Sequence, residues 1–165
     1  MNNYSWLQQK LHKLALSSQF MREVSFDAES SIISPNIVGK NHVFIAGLAR
    51  SGTTILLNAI HESGEFGSLS YADMPFILAP NLWSKISFQE NNIKLVERAH
   101  GDGIRVSTKS PEAFEEIFWN TFSDKDDGSK EKSRIYLKLI MHKYQKNRYL
   151  SKNNQNIRRL GIIEE

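Results

Sequence analysis

The residues best suited to chemistry lie in one short stretch, Gly47-Leu48-Ala49-Arg50-Ser51-Gly52-Thr53-Thr54. Two glycines bracket a segment that carries a guanidinium, and two hydroxyls follow. Upstream, Val43-Phe44-Ile45-Ala46 is an apolar, partly β-branched run with the length of a buried parallel strand. Downstream, Ile55, Leu56, Leu57, Ala59 and Ile60 suit a helix with a wide apolar face. Strand, glycine-bounded loop and helix together make the geometry of an anion cradle. Backbone N–H groups at the helix start and the helix dipole both favour negative charge there.

The spacing Gly47-x4-Gly52 followed by Thr53-Thr54 nearly matches the nucleotide-binding loop G-x4-G-K-[ST]. Thr53 stands where the lysine that reaches the outer phosphates would be, and the cation is Arg50, inside the loop. A nucleoside triphosphate with Mg²⁺ needs that lysine, so its loss argues against ATP or GTP chemistry. A single phosphate, held by amides, one arginine and two hydroxyls, is the easier guest.

GLARSGTT resembles the phosphosulfate-binding loop of the sulfotransferases, in which Lys or Arg precedes Ser-Gly-Thr-Thr. A second stretch, RYLSKNNQNIRRL, is similar to a strand-then-helix of the bacterial and carbohydrate-type members, with Lys152 ending the strand. Ligands of open α/β sheets gather at such strand ends. The resemblance implies transfer of a sulfuryl group from 3′-phosphoadenosine 5′-phosphosulfate (PAPS) to an alcohol or amine, on a hydroxylated small-molecule, carbohydrate or lipid acceptor. It implies that Leu48, Ala49, Arg50, Ser51, Gly52, Thr53, Thr54 and Lys152 hold the phosphosulfate. Arg50 and Lys152 would also stabilise charge as the phosphate departs. It does not name the general base; Asp73, after a short second strand, and His100, in a Gly-Asp-Gly turn, are the two candidates. No metal is implied.

Composition sets the frame for these sites. The chain has 165 residues, 40% hydrophobic and 24% charged, which allows one modest domain with a real core. Cysteine is absent, which excludes disulfides and thiolate metal sites and suits a cytoplasmic setting. No apolar run is long enough to span a membrane, and no secretory signal is present. Nucleic acid is not an expected partner. The net charge of +3 hides an asymmetry: residues 1–129 carry 11 Lys/Arg against 15 Asp/Glu, and residues 130–165 carry 10 against 3. A basic C-terminal quarter points to an anionic partner or to a solvated helix face.

The elements that must position the site read as follows. Residues 4–21 have the apolar spacing of an amphipathic helix, and 22–41 read as an irregular lead-in, so 1–41 form a first segment. Glu62-Ser63-Gly64 is a glycine-capped helix exit, and residues 67–71 a short second strand. A short apolar helix broken near Pro80 follows. Residues 93–98 look helical, 104–108 extended, and Pro111 marks a further helix start. Residues 123–133, SDKDDGSKEKS, are expected to be a flexible loop. Helix, strand through Lys152 and a final helix close the chain.

The expected fold is therefore α/β, a P-loop-type parallel sheet flanked by helices and truncated after about three strands. Residues 42–165 would be the N-terminal portion of a sulfotransferase domain. The strand and the Arg…Ser pair that grip the 3′-phosphate of PAPS are missing, so self-association or a missing C-terminal half enters the expectation. Two other readings stand beside this one: a P-loop nucleotide kinase or NTPase, and a non-catalytic interaction fragment using the amphipathic helix or the basic quarter.

Overall fold

The computed structural model describes residues 18–87, 96–97, 105–107, 109–122 and 127–163. Its elements in chain order are α1 (Gln19–Ile32), β1 (Val43–Ile45), α2 (Thr53–His61), a 3-10 turn (Tyr71–Asp73), α3 (Pro80–Ile86), β2 (Val96–Glu97) and β3 (Arg105–Val106). Then come α4 (Glu116–Phe122), α5 (Asp127–Tyr144), β4 (Leu150–Lys152), a second 3-10 turn (Asn156–Arg158) and α6 (Leu160–Ile163).

The architecture is mixed helix and strand around a small parallel pair. β1 and β4 run parallel, with Val43 opposite Leu150, Phe44 opposite Ser151 and Ile45 opposite Lys152. The far side of β4 takes a single parallel bridge, in which Gly67 N donates to Arg148 O at 2.8 Å and Leu150 N to Gly67 O at 3.0 Å. β4 thus lies between β1 and the Gly67 segment. The expected second strand over 67–71 is present only as this bridge and an antiparallel one between Ser70 and Pro111.

Strand alternation sorts the side chains onto two faces. Ile45 and Leu150 pack with Leu57 of α2 and Phe66 on one face. Phe44 and Tyr149 turn to the other, where Phe26, Phe118, Phe122, Tyr136, Leu139 and Ile140 build the larger core. Phe118 and Tyr136 stack with ring centroids 4.7 Å apart, and Phe26 meets Phe118 edge-on at 6.0 Å.

Several elements depart from expectation, each for a tertiary reason. Residues 19–32, expected as mostly irregular lead-in, are helical; 1–17 lie outside the described residues. The inward stripe of α1 includes Glu29, fully buried, whose Oε1 accepts from Asn81 N (2.8 Å) and Asn81 Nδ2 (2.6 Å), and whose Oε2 accepts from Leu82 N (2.9 Å). That carboxylate satisfies amides at the start of α3, where negative charge is favoured. Phe26 of α1 belongs to the main core. Pro80 opens α3 rather than breaking it, at the first-turn position that tolerates a missing N–H. Val96–Glu97, expected to be helical, pair antiparallel with Arg105–Val106. Pro111 does not start a helix, because Glu112 N is spent on Leu69 O at 3.1 Å; α4 begins at Glu116.

The expected flexible loop over 123–133 is helical from 127 onward, and 123–126 lie outside the described residues. Buried Ser129, Ser133, Tyr136 and Ile140 recur at helical spacing along α5. Two serines at inward positions hid the amphipathic pattern. The expected final helix is divided into the 3-10 turn and the short α6.

Candidate functional site

The glycine-bounded loop leaves the C-terminal end of β1 and winds tightly into α2. Ser51 closes it on itself, its N and Oγ donating to Leu48 O at 3.2 and 2.7 Å. Arg50 takes a left-handed backbone conformation with φ 68°, and Gly52, the residue before the helix, has φ 83°. For arginine that conformation carries a cost of about 1–2 kcal/mol, and strain of this kind concentrates at ligand-binding turns. Gly47 packs so closely that a Cβ there would lie 2.8 Å from Thr53 Cγ2 and 2.9 Å from Ser51 Oγ. The first regular bond of α2 runs from Leu56 N to Gly52 O at 3.1 Å. Among the described residues, no backbone carbonyl receives the amides of Gly47, Leu48, Ala49, Gly52 or Thr53. Leu48, Ala49, Arg50, Ser51 and Gly52 are exposed, and Thr53 and Thr54 are half-buried.

Lys152 reaches the same edge from the neighbouring strand. It pairs in register with Ile45, the last residue of β1, so both strand ends open on the loop side. The chain beyond β4 is stitched to that edge, since Asn153 N donates to Ile45 O at 3.0 Å and Asn156 Nδ2 approaches the same oxygen at 3.4 Å. Loop and lysine, separated by a hundred residues in the chain, therefore share one edge of the sheet.

Sequence reasoning missed the clamp that holds this edge. Glu116, at the start of α4, takes Arg159 in a two-pronged contact, Nη1 to Oε2 at 3.0 Å and Nη2 to Oε1 at 3.1 Å. The same carboxylate accepts from Asn153 Nδ2 at 2.5 Å. Burial alone would raise the Glu116 pKa, but the hydrogen bonds from Arg159 and Asn153 and the guanidinium charge outweigh it and hold it below the ordinary value. The asparagine-rich NNQN stretch signals a turn, but nothing local in it signals a partner in α4.

Asp73 is brought to a different task from the one expected. It is fully buried, Lys143 Nζ bonds its Oδ1, and Tyr144 OH donates to Oδ2 at 2.7 Å. Ser70 N donates to the same Oδ2 at 2.7 Å, closing a capping box on the 3-10 turn. With both oxygens so engaged and no solvent contact, this carboxylate anchors α5 to the turn and is not placed to take a proton from an acceptor. His100 lies outside the described residues.

The basic C-terminal quarter is partly consumed by pairing with acids elsewhere in the chain. Lys143 bonds Asp73, Arg159 bonds Glu116, and Arg148 Nη1 bonds Glu65 at 2.5 Å. Its charge surplus serves in part to tie this segment to the acidic remainder of the chain. Among the described residues, no group of three or more His, Asp or Glu side chains is placed to hold a metal ion, and no helix is long and apolar enough to cross a membrane.

No protein-family model, curated protein or solved structure matches the chain.

Proposed function

We propose that the chain is a PAPS-dependent sulfotransferase module, whose wound loop over 47–54 binds the 5′-phosphosulfate and whose Lys152 flanks it. The observation that carries this reading is the meeting of the loop and Lys152 at one edge of the parallel β1–β4 pair. The parallel order, with β4 between β1 and the Gly67 segment, supports a P-loop-type sheet.

The loop fits such a guest on its own geometry. The space a Cβ at Gly47 would need is already filled by Ser51 and Thr53, and the amides of Gly47, Leu48, Ala49, Gly52 and Thr53 meet no backbone carbonyl among the described residues. In this reading the amides of Leu48, Ala49, Gly52 and Thr53 would hold the 5′-phosphate, and the Thr53 and Thr54 hydroxyls would donate to its oxygens. Arg50 offsets negative charge on the phosphate, and Lys152 bridges toward the sulfuryl oxygens. Bound PAPS would supply the activated sulfuryl group. Asp73 is withdrawn from the role of base by its burial, and the role is left unassigned.

Calorimetry with adenosine 3′,5′-bisphosphate and adenosine 5′-phosphosulfate tests the proposal. Binding without Mg²⁺, weakened about tenfold or more by Arg50→Ala, is expected. Absence of binding, or an Arg50→Ala protein indistinguishable from the parent, would overturn it. Mg²⁺-dependent ATP binding in preference to either would transfer the loop to nucleoside triphosphate chemistry.

A further inference from the structure

A cavity of about 200 Å³ opens on the face of β1 opposite α2, away from the loop. Phe44, Trp119, Leu137, Met141 and Ile162 give it an apolar wall. Two cations, Arg134 and Lys138, also line it; they stand one helical turn apart on α5 and are exposed, which places them at the open side. The acid nearest them on α5 is Glu131, 3.6 Å from Arg134 in an exposed contact of small worth. Deeper in, the buried Glu115 carboxyl and the Trp119 indole N–H interact with one another.

Apolar walls with a few convergent polar groups are the ordinary makings of a small-molecule site. We propose that this cavity binds a small anionic amphiphile, its alkyl body against Phe44, Leu137 and Met141 and its carboxylate at Arg134 and Lys138. The charge at the opening selects the sign of the headgroup. The restricted volume selects a short chain over a long one. This site is independent of the loop and does not rest on the sulfotransferase reading.

The test titrates straight-chain carboxylates from butanoate to decanoate into the protein by calorimetry, with the Trp119 indole N–H resonance followed by NMR. Affinity should rise about fourfold per methylene and then level off as the space fills, with the Trp119 resonance shifting throughout. Octanoate should bind about fivefold tighter than octylammonium. Leu137→Trp, which fills the cavity from a half-buried position, should remove the chain-length dependence. Arg134→Gln with Lys138→Gln, both at exposed positions, should remove the preference for the anion while the fold is kept. Arg50→Ala should change none of this. Absence of a Trp119 shift, equal affinity for octylammonium, or a chain-length dependence that survives Leu137→Trp would each overturn the proposal.

Discussion

Lys152 stands opposite Ile45 in the parallel register, so the strand that ends in a cation lies beside the strand that feeds the loop carrying Arg50. Two positive side chains from distant parts of the chain thereby serve one edge, where ligands of parallel sheets collect. Each should contribute a charge-assisted hydrogen bond to a bound phosphosulfate, worth about 1.5–3 kcal/mol. Arg50→Ala and Lys152→Ala are therefore each expected to weaken adenosine 5′-phosphosulfate about 10- to 100-fold. Arg50 is exposed, so its loss should leave the thermal midpoint nearly unchanged. Arg50→Gly separates binding from folding more sharply, because relief of the φ 68° conformation should offset the added chain entropy. Calorimetry beside a melting curve reads both quantities, and a large stability loss in Arg50→Gly would contradict the strained-turn account.

Gly47 and Gly52 bracket the same loop but are required for different reasons. At Gly47 the constraint is space: a methyl would meet Thr53 Cγ2 and Ser51 Oγ below 3.0 Å. At Gly52 the surroundings are open and the constraint is the backbone, at φ 83°. Gly47→Ala should displace the threonine and serine, costing about 1–3 kcal/mol and most of the anion binding. Gly52→Asn, which tolerates the left-handed region, should retain more stability than Gly52→Val. Equal urea midpoints for those two substitutions would show that the turn relaxes.

The strand, loop and helix around Arg50 were legible in the sequence because each is specified locally: an apolar run, a glycine pair, then helical spacing. Lys152 at a strand end was legible for the same reason. What stayed hidden depends on partners distant in the chain. Glu29 occupies an inward position of α1 because α3 needs an acceptor there, so it interrupts the hydrophobic pattern of its own helix. Ser129 and Ser133 do the same for the start of α5. Asp73 sits where a catalytic carboxylate would be sought, and only the approach of Lys143 and Tyr144 from α5 reveals its anchoring role. Local propensity carries no record of such pairings.

Asp73 and Lys143 form a buried pair whose halves are costly to separate. Lys143 keeps only 9% of its side-chain surface exposed and Asp73 none. Removing one partner of such a pair leaves an uncompensated buried charge, at about 3–5 kcal/mol. Asp73→Asn should therefore lower stability by about that amount, and Lys143→Met in the same protein should recover part of it. Urea unfolding of the two single variants and the double variant measures the coupling. If Asp73 were instead an exposed base, Asp73→Asn would leave the urea midpoint unchanged.

Glu115 and Glu116 are neighbours with opposite titration behaviour. Burial is the main cause that pushes the Glu115 carboxyl above its ordinary value of 4.5, opposed in part by Ser151 and by the Arg159 charge. A carboxyl raised on folding binds its proton more tightly in the native state. Its contribution to stability is thus fully present below the unfolded-state value and declines as pH rises from there through the raised native value. Glu115→Gln removes the titration while keeping a polar side chain of similar shape. Relative to the parent, the variant should gain stability between pH 4.5 and neutrality, and any offset from the amide should be constant with pH. Glu116 titrates on the acid side in both proteins, so its effect largely cancels in the difference. Chemical unfolding at pH 4 and at pH 7.5 reads the result: a difference independent of pH would mean that Glu115 is ionised in the core at no cost.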